Sequence, residues 1–361
     1  MAKIVVLGAG VMGSAFAQMI ADSGHDVSLV GTHLDGNIIS ALRDGKAHPN
    51  LNFKLSNRMA ASYLHELKDT LESYTDLIIL GVSSAGVEWA IHQIGKTLPK
   101  TTPILLLTKG LAVHKRSLRI LPEVVREGLA VYGFKGLIVG AIGGPCIASE
   151  LAARRSTSVV VALPDGSMLE SIIRLFSAPY YHARGSADLI GVEACAALKN
   201  LYAIGIAFPA GQLEAGFKAE NEAKMHNLCA GLFTQALVEM QYIVSWMGGH
   251  PSSVYGLAGS GDLYVTCQAG RNSRMGKLLG AGVRYSEAKS QQMSDETVEG
   301  ADLALAIAPA INFLLQKGSL KESALPFMIS ILNAICSDKP ISLPWHLFYR
   351  SSIRQASAQP Q

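Results

Sequence analysis

The sequence predicts an α/β fold in two parts: a doubly wound, mainly parallel sheet over residues 1–187, then an all-helical domain over 188–345. Three observations carry this. Residues 3–30 read as strand, glycine-rich turn, helix and strand. Buried-strand patterns keep alternating with helical stretches up to about residue 163. After about residue 187 the strand signal fades and the composition turns rich in Ala, Leu and Met. A chain of 361 residues is also too long for one ordinary core.

Composition narrows the function classes. Hydrophobic residues make up 49% and charged residues 16%, which fits a large buried fraction and excludes a disordered chain. The net charge is +3 and no long Lys/Arg run occurs, so nucleic-acid and membrane-surface partners find no support. None of the five cysteines stands in a Cys-x-x-Cys pair, and sparse thiols of this kind fit the reducing cytoplasm. The ten histidines show no metal-ligand spacing, so no metal is expected. The first apolar run, Ile4 to Leu7, ends in glycines, which reads as neither a signal peptide nor a membrane span.

In order along the chain, Lys3–Leu7 is a short β-rich run suited to a buried parallel strand. Gly8-Ala-Gly10-Val11-Met12-Gly13 follows at once. Ser14 to Ser23 carries helical spacing with Phe16, Met19 and Ile20 on its apolar side. Gly24 ends that helix, and residues 25–30 form a second strand. Gly8 permits the tight turn, Gly10 lets backbone amides approach a pyrophosphate, and Gly13 lets the helix pack closely on the strand. The helix N-terminus favours the anion, so this unit predicts dinucleotide binding and a Rossmann-type sheet.

A carboxylate at the end of the second strand usually holds the ribose hydroxyls of NAD. Here Gly31, Thr32 and His33 occupy that place, and the next acid is Asp35. Thr32 and His33 could instead donate to a 2′-phosphate, which leans the cofactor towards NADP(H). Residues 35–75 read as helix, loop and helix. Strands follow at 76–82, 104–107, 136–142 and 156–163, with a helix near 88–94. Ligands of such sheets bind beyond the strand carboxyl ends. Gly8–Gly13, Ser83-Ser84, Lys109 and Gly144-Pro145 all stand there and should converge on one crevice.

In the second half, Glu193–Ala207, Asn227–Met247, Ala301–Gln316 and Leu325–Cys336 have helical length, with Pro326 in the first turn of the last. Lys199 sits on the first of these, otherwise apolar, and is the expected proton carrier at the seam of the two halves. Segment 210–226 reads as a polar, glycine-interrupted loop or lid. The stretch 256–276 is broken by glycines, with Asn272 or Ser273 placed to cap the next helix and Arg271 placed to bind an anion. The tail 346–361 reads as loosely ordered.

Seven motifs appear in order: Gly8-Ala-Gly-Val-Met-Gly13, Lys109-Gly-Leu, Gly144-Pro-x-x-Ala148-x-Glu150, Ala197-Leu-Lys199-Asn200, Gly256-Leu-Ala-Gly-x-Gly-Asp262-Leu, Gly270-Arg-Asn272 and Val298-Glu-Gly300. Together they resemble the soluble NAD(P)-dependent glycerol-3-phosphate dehydrogenases over roughly residues 3–336. The resemblance implies a Rossmann domain and a helical domain like that of 6-phosphogluconate dehydrogenase. It also implies a homodimer and the interconversion of dihydroxyacetone phosphate and glycerol 3-phosphate, feeding glycerophospholipid synthesis.

Carried over by motif, Lys199, Lys109 and Asp262 are catalytic, with Lys199 the proton donor or acceptor. Lys109, Gly144, Cys146, Asn200, Gly270, Arg271 and Asn272 join them around the phosphorylated substrate. Gly8, Gly10, Val11, Met12, Gly13, Lys109, Ala148, Arg271 and Glu299 line the cofactor. Three positions depart from the family pattern: Cys146 after the glycine and proline, Gly270 before Arg-Asn, and a helix with Cys229 and Gln235 where Lys and Arg are common. The last removes two positive charges expected near the substrate. It motivates an alternative, a same-fold dehydrogenase of another small phosphorylated polyol or hydroxy acid. A non-catalytic dinucleotide sensor would need neither Lys109 nor Lys199.

A free lysine is mostly protonated at neutral pH. Burial on an apolar helix and a neighbouring cation, Lys109, are expected to make Lys199 able to exchange its proton.

Overall fold

The computed structural model describes residues 1–71, 74–164, 166–217, 221–268 and 270–348. The strands are β1 (Lys3–Leu7), β2 (Asp26–Val30), β3 (Met59–Ser62), β4 (Leu77–Leu80), β5 (Ile104–Leu106), β6 (Leu111–His114), β7 (Ser117–Ile120), β8 (Val139–Gly143), β9 (Thr157–Ala162) and β10 (Tyr181–Ser186). The helices of the first half are α1 (Val11–Asp22), α2 (Gly36–Arg43), α3 (Leu67–Thr70), α4 (Val87–Thr97), α5 (Leu121–Ala130), α6 (Ala148–Ala152) and α7 (Gly166–Arg174). Those of the second half are α8 (Leu189–Glu214), α9 (His226–Trp246), α10 (Asp262–Gln268), α11 (Arg271–Gly280), α12 (Tyr285–Glu287), α13 (Glu299–Gln316) and α14 (Pro326–Cys336).

The chain forms two compact units. One comprises Met1–Lys109 and Ile120–Glu193; the other comprises Gly110–Arg119 and the chain from Ala194 onward. The first is built on an eight-stranded sheet in the order β10-β9-β8-β5-β4-β1-β2-β3. Every neighbouring pair is parallel except β8 with β9. Its central strands β1, β4 and β5 are apolar runs with no exposed residue from Ile4 onward. A parallel sheet covered on both faces requires such runs.

Four local expectations change. The stretch 35–75 contains the edge strand β3, whose four residues Met-Ala-Ala-Ser give little β signal. Residues 111–120 form the hairpin β6–β7, which belongs to the second unit. Residues 210–214, expected in a loop, continue α8 through an internal Pro209. Gly211 is no breaker there: a Cβ on it would lie 1.9 Å from the Lys277 carbonyl oxygen, so glycine is what lets α8 and α11 touch. The rest of that supposed lid includes 218–220, outside the described residues. In the expected tail, 349–361 also lie outside, but Phe348 is buried with its ring 6.0 Å from Phe327.

Helix α8 is long and apolar enough to cross a membrane, but its most apolar window is 94% buried within the fold. It is the core helix of the second unit, and Tyr202 on it packs against Phe327 of α14.

Candidate active site

The first unit carries the glycine turn between β1 and α1. Gly8 has φ +113, and a Cβ there would come within 2.8 Å of the Gly81 carbonyl after β4. A Cβ on Gly13 would meet the Gly8 carbonyl oxygen at 2.1 Å, so only glycine allows α1 to sit this close. Gly10 caps α1, and nothing lies within 4 Å of the place its Cβ would take. Val11 is partly exposed beside it. A crowded turn with open space over a helix N-terminus is the shape a pyrophosphate needs, so these residues fit a dinucleotide.

Two residues that the sequence reading passed over fix this turn. Asp35 is buried, and one carboxylate oxygen accepts from the Ala9 N–H at 3.0 Å and the Thr32 N–H at 2.8 Å. His48 is also buried, with Nε2 3.1 Å from the Ala9 carbonyl oxygen. The acid nearest to β2 therefore serves the protein's own backbone. His33 is exposed, with its ring 5.2 Å from that of Trp89.

The adjacent strands β1, β4, β5 and β8 bring their carboxyl ends side by side. Thr108 donates to the Val82 carbonyl at 2.6 Å, tying the loop after β5 to that after β4. Lys109 Nζ donates to the Gly144 carbonyl at 3.3 Å, tying it to the loop after β8. Gly144 reaches that contact with φ +113. Cys146 lies 4.0 Å from the Met12 sulfur, sulfur to sulfur, and Ala148 opens α6. The expected convergence of these loops within the first unit is what their contacts describe.

In the second unit Lys199 is flanked on α8 by buried residues from Ala194 to Leu198 and by Leu201 and Tyr202, and is itself 7% exposed. Its Nζ donates to Asp262 Oδ1 at 2.5 Å and to Thr266 Oγ1 at 2.8 Å. Thr266 in turn donates to the Asp262 carbonyl at 2.7 Å. Thr266 was missed in the sequence, although it stands four residues after Asp262 and so on the same face of α10. The expectation looked to a neighbouring cation; the contact seen is with a carboxylate, which favours the ammonium form.

Asn272 neither faces open space nor caps its own helix. Gly270, at φ +110, caps α11. The Asn272 amide donates to Asn200 Oδ1 at 3.0 Å and accepts from the Gly300 N–H at 2.9 Å, so it caps α13. Ser273 donates to the Thr266 carbonyl at 2.8 Å. Arg271 pairs with Glu299, both about half exposed, and Arg274 pairs with Glu296. Three motifs distant in sequence are thus one hydrogen-bonded cluster.

The two family departures on α9 separate. Gln235 is buried and donates to Glu239 Oε1 at 2.8 Å, so that change falls in the core rather than beside a substrate. Cys229 lines a cavity of about 660 Å³ together with Cys267, and burial pushes the Cys267 thiol up to about 12.

The first unit has the geometry to hold a dinucleotide, and the second holds a buried lysine paired with a carboxylate. A dinucleotide fold followed by a helical unit of this kind is the architecture of a dinucleotide-dependent dehydrogenase. Residues 3–169 match the family model for the N-terminus of NAD-dependent glycerol-3-phosphate dehydrogenase, and residues 188–342 match that for its C-terminus. The NADP(+)-dependent glycerol-3-phosphate dehydrogenase of Archaeoglobus fulgidus is 34% identical over 290 residues, covering 80% of this chain and 83% of the relative. The glycerol-3-phosphate dehydrogenase [NAD(P)+] of Shouchella clausii is 32% identical over 302 residues, 80% of each chain. The crystal structure of glycerol-3-phosphate dehydrogenase from Coxiella burnetii superposes with a TM-score of 0.78 at 26% identity over 99% of both chains. The chain belongs to the NAD-dependent glycerol-3-phosphate dehydrogenase family; it is an NAD(P)-dependent oxidoreductase whose reaction interconverts dihydroxyacetone phosphate and glycerol 3-phosphate.

Proposed function

We propose that Lys199 gives the proton to the carbonyl oxygen of dihydroxyacetone phosphate during reduction and takes it back during oxidation. The observation that carries this reading is the buried contact of its ammonium with Asp262 and Thr266. A bound nicotinamide supplies the hydride from its C4. Lys199 supplies the proton that the new alcohol oxygen must gain. Asp262 keeps the ammonium charged and aimed. Thr266, whose hydroxyl hydrogen is committed to the Asp262 carbonyl, presents a lone pair to Nζ and fixes a second direction.

In the same reading, Lys109 touches substrate and nicotinamide, with Gly144 and Cys146 forming the wall beside it. Arg271 takes the substrate phosphate, since a guanidinium matches its oxygens bidentately. Gly270, Asn200 and Asn272 hold that corner in shape. Val11, Met12, Ala148 and Glu299 line the cofactor. Thr32 and His33 receive the 2′-phosphate of NADPH, which is supported by the engagement of Asp35 with backbone amides. The enzyme acts in the cytoplasm as a homodimer, and its small phosphorylated product feeds glycerophospholipid synthesis. Five scattered cysteines, none in a Cys-x-x-Cys pair, support the reducing compartment.

The test is Lys199→Met. Turnover of dihydroxyacetone phosphate falls by about a hundred- to ten-thousandfold while NADPH affinity is kept. Near wild-type turnover would end the proton-carrier assignment. Comparing NADPH with NADH tests the cofactor side: kcat/KM favours NADPH by roughly tenfold or more, and Thr32→Ala with His33→Ala erases that preference. Equal use of both cofactors by the wild type would remove the role given to Thr32 and His33.

A further inference from the structure

Glu193 lies near the start of α8, within the first unit, and is completely buried. Neither carboxyl oxygen has a hydrogen-bond partner among the described residues. Buried carboxylates are held by donors or cations, and an ionised one without them is strongly disfavoured. Asp188, just before the helix, is occupied in accepting the Gly191 N–H at 2.9 Å. The charge that acts on Glu193 is the Lys109 ammonium. Lys109 itself rests with Nζ against the Gly144 carbonyl. Nothing in the mechanism above uses this carboxyl, and nothing among the described residues satisfies it.

A group in such a place is stable as a neutral acid. Burial pushes Glu193 up to about 8, with Lys109 pulling the other way. The proton therefore leaves only at mildly alkaline pH, and it leaves to water. Once ionised, the carboxylate feels one cation among the described residues. That cation is the lysine at the end of β5.

We propose that Glu193 is a positioning residue for Lys109: as a neutral acid it leaves the Lys109 ammonium beside the Gly144 carbonyl for the substrate, and on ionising it draws that ammonium away. This rests on the reading of Lys109 as a substrate contact. It makes substrate affinity, rather than the proton step at Lys199, the pH-sensitive quantity.

The experiment is KM for dihydroxyacetone phosphate with saturating NADPH, measured from about pH 6 to about pH 9.5 in wild type, Glu193→Gln and Lys109→Gln. In wild type KM rises about tenfold per pH unit above about 8, while kcat changes far less. Glu193→Gln is neutral at every pH, and its KM stays flat within about twofold over that range. An unchanged alkaline rise in Glu193→Gln, or a KM shifted by one factor at all pH values, overturns the proposal. Lys109→Gln separates the two layers of the argument. If it leaves KM near wild type, the Lys109 reading fails. If it raises KM strongly while Glu193→Gln keeps the wild-type rise, Glu193 alone fails.

Should Glu193→Gln not fold, infrared titration of the full enzyme decides. A protonated-carboxyl carbonyl band whose midpoint moves to higher pH in Lys109→Gln supports the coupling. A band with an unmoved midpoint, or no such band at about pH 6.5, overturns it.

Discussion

Glu239, in the core of the second unit, accepts four hydrogen bonds: from Gln235 and the Phe327 N–H on one oxygen, and from Tyr202 and the Met328 N–H on the other. Glu193, in the first unit, accepts none among the described residues. Both are fully buried, and burial pushes both up, to about 7 and about 8. In Glu239 the donors oppose that push. They include two N–H groups from the first turn of α14, so the carboxylate caps a helix it does not belong to. Its role is to join α8, α9 and α14. A buried carboxyl held by donors is architecture, whereas one that accepts none among the described residues has no such joining role.

Mutation breaks or sharpens this contrast. The largest effect on stability is expected from Glu239→Ala, which strands two helix N–H groups and the Tyr202 hydroxyl. Urea unfolding should show a loss of about 3–5 kcal/mol. Glu193→Leu, which removes an unsatisfied polar group, should leave unfolding free energy at pH 8 equal to or above wild type. A loss there as deep as that of Glu239→Ala would erase the distinction.

The pH dependence of stability sharpens the same point. A carboxyl raised by folding binds its proton more tightly in the native state than in the unfolded chain. Its stabilising contribution is complete below the ordinary carboxylate value and is lost as pH climbs through the raised one. Wild type should therefore lose a few kcal/mol between about pH 5 and pH 8. The slope should be shallower in Glu193→Leu, and an identical slope would exclude Glu193 as its source. The smallest effect is expected from Asn272→Ala, about 1–2 kcal/mol for two lost hydrogen bonds. It should be read in thermal unfolding together with a modest rise in substrate KM. Unchanged values in both would mean that the Asn200–Asn272–Gly300 bridge supports nothing.

Sequence legibility followed the same physics. The glycine turn could be read because tight turn, helix cap and close packing each demand glycine at a fixed spacing. Lys199, Asp262 and Arg271 could be read because charges in apolar or glycine-rich surroundings stand out. The β6–β7 hairpin could not. Its turn, Lys115-Arg116, has φ 49 and φ 63 without the Asn or Gly that usually announces such a turn. Asp35 was legible as a missing ribose ligand but not as the brace of the glycine turn, because its partners are backbone amides. Gly211 misled for the opposite reason. Glycine in a helix reads as a break unless the second helix is known to press against it.

That hairpin also has a bearing on how the protein is made. Its strands are synthesised in the middle of the first unit, yet β6 packs on α13, and the Arg116 guanidinium lies 4.7 Å over the Phe313 ring there. The ribosome therefore delivers this piece long before the helix it belongs with. Until α13 emerges, the strand has no partner surface of its own. A chain cut after the sheet would keep the hairpin and lose its dock, and a chain begun at α8 would keep the dock and lose the hairpin. Cutting the chain between the sheet and α8 therefore parts the hairpin from the helix it docks on.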